Sequence, residues 1–256
     1  MSTEVLLQWD SPVARVQFKE ERGIHILSSD VRKRLNEVLG EIEQLDECRI
    51  VVFEAEGRTF IAGAQIKEFL GLNVGSAEAL AKEGQRLMQR IEDLQPITLA
   101  AINGATAGGG CELALACDQR IASASARIGL PEVTLGLVPG WGGTVRATRL
   151  LGESVAKRLI LSAELVPAET ALSWGVVDAV FPAEEFPQAV EQRIAQLKSG
   201  GPLACRAVKD LMRAMRSPTS AADYDREAAA FARCFTTGEP MEGASAFLEK
   251  RPARWR

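Results

Sequence analysis

Ile97-Thr98-Leu99-Ala100-Ala101-Ile102, then Gly108-Gly109-Gly110-Cys111-Glu112-Leu113-Ala114-Leu115-Ala116-Cys117, then Gln119-Arg120-Ile121-Ala122 is the stretch on which the fold turns. The first run is short, apolar and rich in residues suited to a buried strand. The second has no helical stripe, because apolar residues occupy every side. It reads as a helix starting near Gly109 and buried all round. The third reads as another strand. A buried strand, a glycine-rich turn, a buried helix and a strand in 26 residues point to an α/β protein.

The same alternation extends toward the N-terminus. Ala14, Val16 and Phe18 alternate with Arg15, Gln17 and Lys19, the period of a half-buried strand. Val31, Leu35, Val38, Leu39, Ile42 and Leu45 recur at helical spacing, with Ser28, Ser29 or Asp30 as candidate caps. Arg49 to Phe53 is a short apolar strand, and Leu80, Gly84, Leu87, Ile91 and Leu94 mark the next helix. Repeated strand–strand–helix turns predict stacked sheets with helices outside. Beyond about residue 145 the pattern becomes mostly helical. Phe186, Val190, Ile194 and Leu197 form one stripe, Pro202 opens another helix, and residues from about 220 to 250 read as two more. We divide the chain at Gly200-Gly201-Pro202 into a core, 1–200, and a helical module, 201–256.

Composition narrows the function. The 256 residues carry a net charge of −4, which offers no surplus of basic charge for nucleic acid. The basic end, Lys250 to Arg256, reads on charge alone as a solvated tail before a phosphate contact. Five widely spaced cysteines without a Cys-x-x-Cys pair point to reduced thiols in the cytoplasm. The first residues have no basic-then-apolar leader, and no apolar run approaches the ~18 residues of a membrane span. A single histidine, His25, excludes a His-rich zinc site, and we expect no metal. No Gly-x-Ser-x-Gly elbow accompanies it, so His25 reads as a packed or capping residue.

Two carboxylates stand out. Glu112 falls in the first turn of the apolar helix, where it either complements the helix dipole or serves chemistry. Glu132 follows Pro131 in a second apolar stretch and reads either as a helix cap or as a functional acid. Two carboxyls in one dry cavity do not both ionise, so the pair would supply one base and one acid. The glycine clusters serve either tight turns and packing or close approach of a ligand oxygen to bare N–H groups. In the second case Gly109, and Ala64 after Gly63, are the candidate donors. Neither cluster has the spacing of a nucleotide-binding loop. Two carboxylates with two such donors suit chemistry beside a thioester carbonyl, where charge builds on oxygen and protons move on carbon.

Phe60 to Phe69, Ala101 to Asp118, Ile128 to Arg146, and Met241 to Arg251 together resemble the enoyl-CoA hydratase/isomerase (crotonase) superfamily over essentially the whole chain. The resemblance implies a crotonase-like spiral of ββα turns with a helical C-terminal trimerisation region, assembled as a homotrimer or dimer of trimers. It implies an acyl-CoA thioester substrate, with coenzyme A part of that substrate and no separate cofactor. Ala64 and Gly109 would form the oxyanion hole. Glu112 and Glu132 would be the catalytic pair that adds water across a trans-2-enoyl-CoA, and Gly140 a backbone position beside the water. Arg22, Gly23, Ile24 and Ile26, with Lys67 nearby, would line the CoA groove. Ala62, Gln65, Ile66, Pro131 and Trp141 complete the binding set. Phe247 and Lys250 would reach the adenine and phosphate end of CoA, which reverses the charge-only reading of the tail.

Two residues depart from the pattern: Gln65 replaces the usual aspartate and His25 the usual asparagine. Gln65 and the bulk of Trp141 leave open an acyl-CoA-binding subunit without turnover, beside an isomerase or another acyl-CoA-processing member. The acyl pocket is expected from loops such as Leu70 to Ala79 and from the C-terminal helices.

Overall fold

The computed structural model describes residues 3–214, 220–236 and 238–254. Ten strands form two sheets. The larger contains β1 (Glu4–Asp10), β2 (Val13–Lys19), β3 (Ile50–Ala55), β5 (Ile97–Ile102), β7 (Gln119–Ser123) and β10 (Ala179–Phe181), in that order. The β1–β2 pair is antiparallel and every other pairing in this sheet is parallel. The smaller sheet orders β4 (Thr59–Ile61), β6 (Ala105–Ala107), β8 (Arg127–Gly129) and β9 (Val166–Pro167). Its first three strands are parallel and β9 is antiparallel to β8.

The two sheets grow together. Helices α1 (Ser29–Glu43), α2 (Val74–Asp93), α3 (Gly109–Ala116) and α4 (Gly143–Leu151) punctuate the chain so that β3–β4–α2, β5–β6–α3 and β7–β8–α4 are three successive repeats. Each repeat adds one strand to each sheet. This is the spiral of ββα turns. After it come α5 (Glu153–Leu161), α6 (Ala168–Ser173), α7 (Phe186–Lys198), α8 (Pro202–Ala214), α9 (Ser220–Cys234) and α10 (Glu239–Glu249).

The apolar run of β3 has no polar face because both of its faces are covered. Val51 and Phe53 join the main core with Phe18, Phe60, Ile61 and Ile128, and Phe18 meets Phe60 edge-on across the sheets at 6.4 Å. Ile50 and Val52 join a second cluster with Leu99 and Ile121, covered by Phe186, Val190 and Ile194 of α7. The stripe read in the sequence of α7 is therefore the one that packs on the large sheet. Ser28 caps α1, accepting from the Val31 amide at 3.4 Å, which decides among the three candidates.

One expectation is corrected. Leu70 to Ala79 is not a loop: a 3₁₀ turn runs Ile66–Gly71 and α2 begins at Val74, with Asn73 and Ser76 forming a reciprocal capping box. Phe69 in that turn still reaches the site.

Because β4, β6 and β8 are parallel neighbours, their C-terminal ends lie along one edge of the small sheet. The segment Ala62–Ala64 leaves β4 there, Gly108–Gly109 leaves β6 and Leu130–Glu132 leaves β8. Ala64, Gly109 and Glu132, far apart in sequence, are gathered by that edge.

Candidate active site

A cavity of about 90 Å³ opens at this edge, lined by Ala62, Ala64, Ile66, Gly109, Glu112, Pro131, Glu132, Gly140 and Trp141, each singled out from sequence. Phe69, Leu135 and Phe231 contribute walls that sequence reasoning did not name.

Glu112 stands at the start of α3 and is 2% exposed. Its Oε1 accepts the amides of Trp141 and Gly143, each at 2.8 Å. Burial raises its pKa most; the two amide donors and the charge of Arg146 pull the other way; the net position is about 7. Arg146 is fully buried, paired with Glu92 at 3.0 Å, and donates to the Trp141 carbonyl at 3.0 Å. It thus fixes the turn that holds Glu112.

Glu132 opens a 3₁₀ turn, Glu132–Leu135, after β8. Its Oε2 is buried with no hydrogen-bond partner. Burial first, then the charges of Glu112 and Glu227, push it well above the usual carboxylate range. The two carboxyls therefore differ in kind. Glu112 has donors that favour the anion, whereas Glu132 has none at Oε2 and two like-charged neighbours, so the shared cavity keeps the proton on Glu132.

Between them the chain turns at Gly108, whose φ is +51° and whose Cβ, were there one, would lie 3.2 Å from Glu132 Oε1. An L side chain is disfavoured there by both conformation and space. Ala64 and Gly109 both line the cavity, and among the described residues neither amide donates to a backbone acceptor outside the helices and strands. Gly109 is also the first residue of α3, so its N–H belongs to the positive end of a helix.

Trp141 is 4% exposed. Its ring rests on two bare backbones: a Cβ at Gly84 would meet it at 2.1 Å and one at Gly109 at 2.5 Å. Arg32 lies 5.4 Å from the ring centroid. The bulk that set this residue apart in the sequence is absorbed by glycines on α2 and α3. Gln85 of α2 holds the Gly140 carbonyl at 3.1 Å.

Arg22, Ile24, Ile26 and Gln65 line a wider groove of about 630 Å³, and Gln65 stands in the chain between Ala64 and Ile66 of the small cavity. Gly23 and Arg22 also border an open concavity with Lys19 and Arg58. Lys67, Phe247 and Lys250 are exposed and line none of these spaces. The structure does not bring those three to the site within one chain. Trp255 and Arg256, in the basic tail, lie outside the described residues. His25 is fully buried, its Nδ1 3.1 Å from the Thr59 carbonyl, and burial lowers its pKa. It ties the Arg22–Ile26 segment to the start of β4. Among the described residues no group of three His, Cys, Asp or Glu side chains is placed to hold a metal, and no helix is long and apolar enough to cross a membrane.

The raised Glu112 carboxyl has a consequence for stability. The unfolded chain ionises a glutamate near pH ~4.3, the folded one at about 7. Between those values the native state binds more protons, so stability falls as pH rises, by about 4 kcal/mol once both forms are ionised. From pH 5 to pH 8 the melting temperature should therefore drop more in the native protein than in Glu112→Gln. Equal drops in calorimetry would refute the assignment.

The family model for enoyl-CoA hydratase/isomerase matches residues 9–256. The chain is 36% identical to the short-chain-enoyl-CoA hydratase of Clostridium acetobutylicum over 249 residues, 96% of this chain and 95% of that protein. It is 34% identical to the crotonyl-CoA hydratase of Syntrophomonas wolfei, covering 98% and 97% of the two chains. Among solved structures, an enoyl-CoA hydratase from Mycobacterium avium subsp. paratuberculosis superposes with a TM-score of 0.89 at 27% identity, covering 100% of both chains.

Proposed function

This chain belongs to the enoyl-CoA hydratase/isomerase family, and we propose from that premise that it is an enoyl-CoA hydratase, adding water across a trans-2-enoyl-CoA to give a 3-hydroxyacyl-CoA. One observation carries the reading. Two carboxyls share a small cavity, one held by two amide donors and one whose Oε2 is buried without a hydrogen-bond partner. That is an anion beside an acid, the pair that hydration needs.

Water bound between them loses a proton to Glu112 while its oxygen bonds to C3 of the enoyl group. The C2–C3 π electrons move toward the thioester, and the carbonyl oxygen takes up negative charge. Ala64 and Gly109 meet that charge with two N–H groups; in other enzymes one such donor is worth roughly 3–4 kcal/mol. Glu132 delivers its proton to C2. The product leaves Glu112 protonated and Glu132 ionised, and exchange with solvent resets the pair. Arg22, Ile24, Ile26 and Gln65 border the groove assigned to the CoA arm. Hydration of crotonyl-CoA, followed by loss of enoyl-thioester absorbance and by product mass, tests the reading. A product one water heavier supports it. Binding of enoyl-CoAs without turnover would leave a binding subunit instead.

The cavity suits a short acyl chain. Phe231, 4% exposed, meets Phe69 edge-on at 6.3 Å and walls the buried side. Phe231→Ala should raise kcat/KM for an eight-carbon enoyl-CoA relative to crotonyl-CoA by about tenfold or more, the scale set by one or two methylenes in an apolar pocket. An unchanged ratio would place the length limit elsewhere. For the assembly we propose a homotrimer or dimer of trimers. It is supported by Leu203, Val208, Leu211 and Met212, apolar and exposed along α8, and is tested by sedimentation. The free cysteines Cys48, Cys111, Cys117 and Cys205 support a cytoplasmic location.

A further inference from the structure

A third carboxylate stands behind the catalytic turn. Glu227 of α9 is 5% exposed, and everything hydrogen-bonded to it is a donor. Its Oε1 accepts the Gly142 amide at 2.6 Å and Gln85 Nε2 at 3.3 Å. Its Oε2 accepts the Thr144 amide at 3.0 Å and the Thr144 hydroxyl. The four amides from Trp141 to Thr144 thus alternate between two anchors. Those of Trp141 and Gly143 point to Glu112, and those of Gly142 and Thr144 point to Glu227. The backbone is held from both sides at the N-terminus of α4, where negative charge is favoured. Gln85 belongs to the same clamp, spanning Glu227 and the Gly140 carbonyl.

Helix packing alone does not require this. An apolar residue at 227 would bury well beside Ala228 and Phe231, whereas a buried carboxylate is costly unless its partners need it. We propose that Glu227 is a positioning residue for hydration: it clamps the Gly140–Thr144 turn so that the Trp141 and Gly143 amides face Glu112. The proposal rests on the hydratase reading above. Other charged or titratable groups around the clamp are Arg146 and Arg149 of α4, Glu92 of α2 and the neutral phenol of Tyr224 of α9. Arg146 faces Tyr224 at 5.1 Å. The Glu112 charge acts on Glu227 as Glu227 acts on Glu132.

The test is Glu227→Gln, which keeps the shape but replaces one acceptor oxygen by an NH₂ group facing an N–H donor. We expect kcat for crotonyl-CoA to fall about 10- to 100-fold with KM nearly constant. In a Glu112→Gln background the same change should cost less than about twofold, since residues acting as a unit are not additive. An equal cost in both backgrounds, or a change in KM alone, would reduce Glu227 to a structural cap and overturn the proposal. Amide hydrogen exchange in the unliganded protein keeps the two readings separate. The Trp141 and Gly143 amides should exchange faster in Glu227→Gln whether or not crotonyl-CoA is the substrate, and unchanged exchange overturns the clamp. If Glu227→Gln does not fold, Thr144→Ala removes one donor to Oε2, and it should lower kcat in the same direction by about threefold or more. No change in kcat there overturns the clamp.

Discussion

Glu132→Gln is expected to lower kcat for crotonyl-CoA hydration by about 10³-fold, within the range that a positioned acid contributes, while KM changes little. The substitution is clean. Glu132 Oε2 makes no hydrogen bond, so a glutamine of the same shape breaks none there and removes only the proton destined for C2. The protein should fold, bind acyl-CoA and stall. Product mass and steady-state kinetics on a folded variant check this. Retention of more than about a tenth of kcat would mean that C2 is protonated from elsewhere, and would remove Glu132 from the mechanism.

Glu112→Gln is expected to cost as much, about 10³-fold in kcat, for the opposite reason. The carbonyl oxygen of a glutamine can accept both amide bonds that now end on Oε1. The turn is then preserved and only the base is lost. The pH dependence carries the same information in the unaltered protein. With Glu112 at about 7, kcat/KM should fall tenfold for each pH unit below that value, as the base is protonated. An acid limb near the ordinary glutamate value of ~4.3 would contradict the burial argument. In the glutamine variant that limb should vanish from whatever rate remains, because the group that titrates there is gone.

Those two carboxylates were legible in the sequence because their signals are local. Glu112 is the one charged residue in the stretch from Gly109 to Cys117, and an apolar helix cannot bury such a group without reason. The long helix α1 was legible from its period, and the strands β2, β3, β5 and β7 from their alternation or apolar runs. The small sheet was not. Each of β4, β6 and β8 is three residues long, too short for a period of two to repeat. No separate strand was read at any of the three, although they carry the loops to the site. The start of α2 was missed for a related reason. Val74 and Gly75 are exposed and add nothing to the buried stripe, so only the Asn73–Ser76 box marks the helix end. Glu227 and Phe231 had a faint signal, one acid and one aromatic flanking Ala228-Ala229-Ala230. Their meaning depends on α9 packing against the turn at 140–144, a contact across more than 80 residues that no local pattern encodes.

That long-range contact also sets when the site can exist during synthesis. The small sheet's edge, with Ala64, Gly109, Glu112 and Glu132, belongs to the first repeats to leave the ribosome. Phe231, which walls the cavity, lies 99 residues after Glu132 (231 minus 132). At roughly 5–20 residues per second the two are separated by about 5 to 20 s of translation. Through that interval the cavity lacks its Phe231 wall and the turn at 142–144 lacks the Glu227 acceptors. The closed cavity is therefore a late product of synthesis: the repeats supply the acid and the base, and α9 supplies the wall that encloses them.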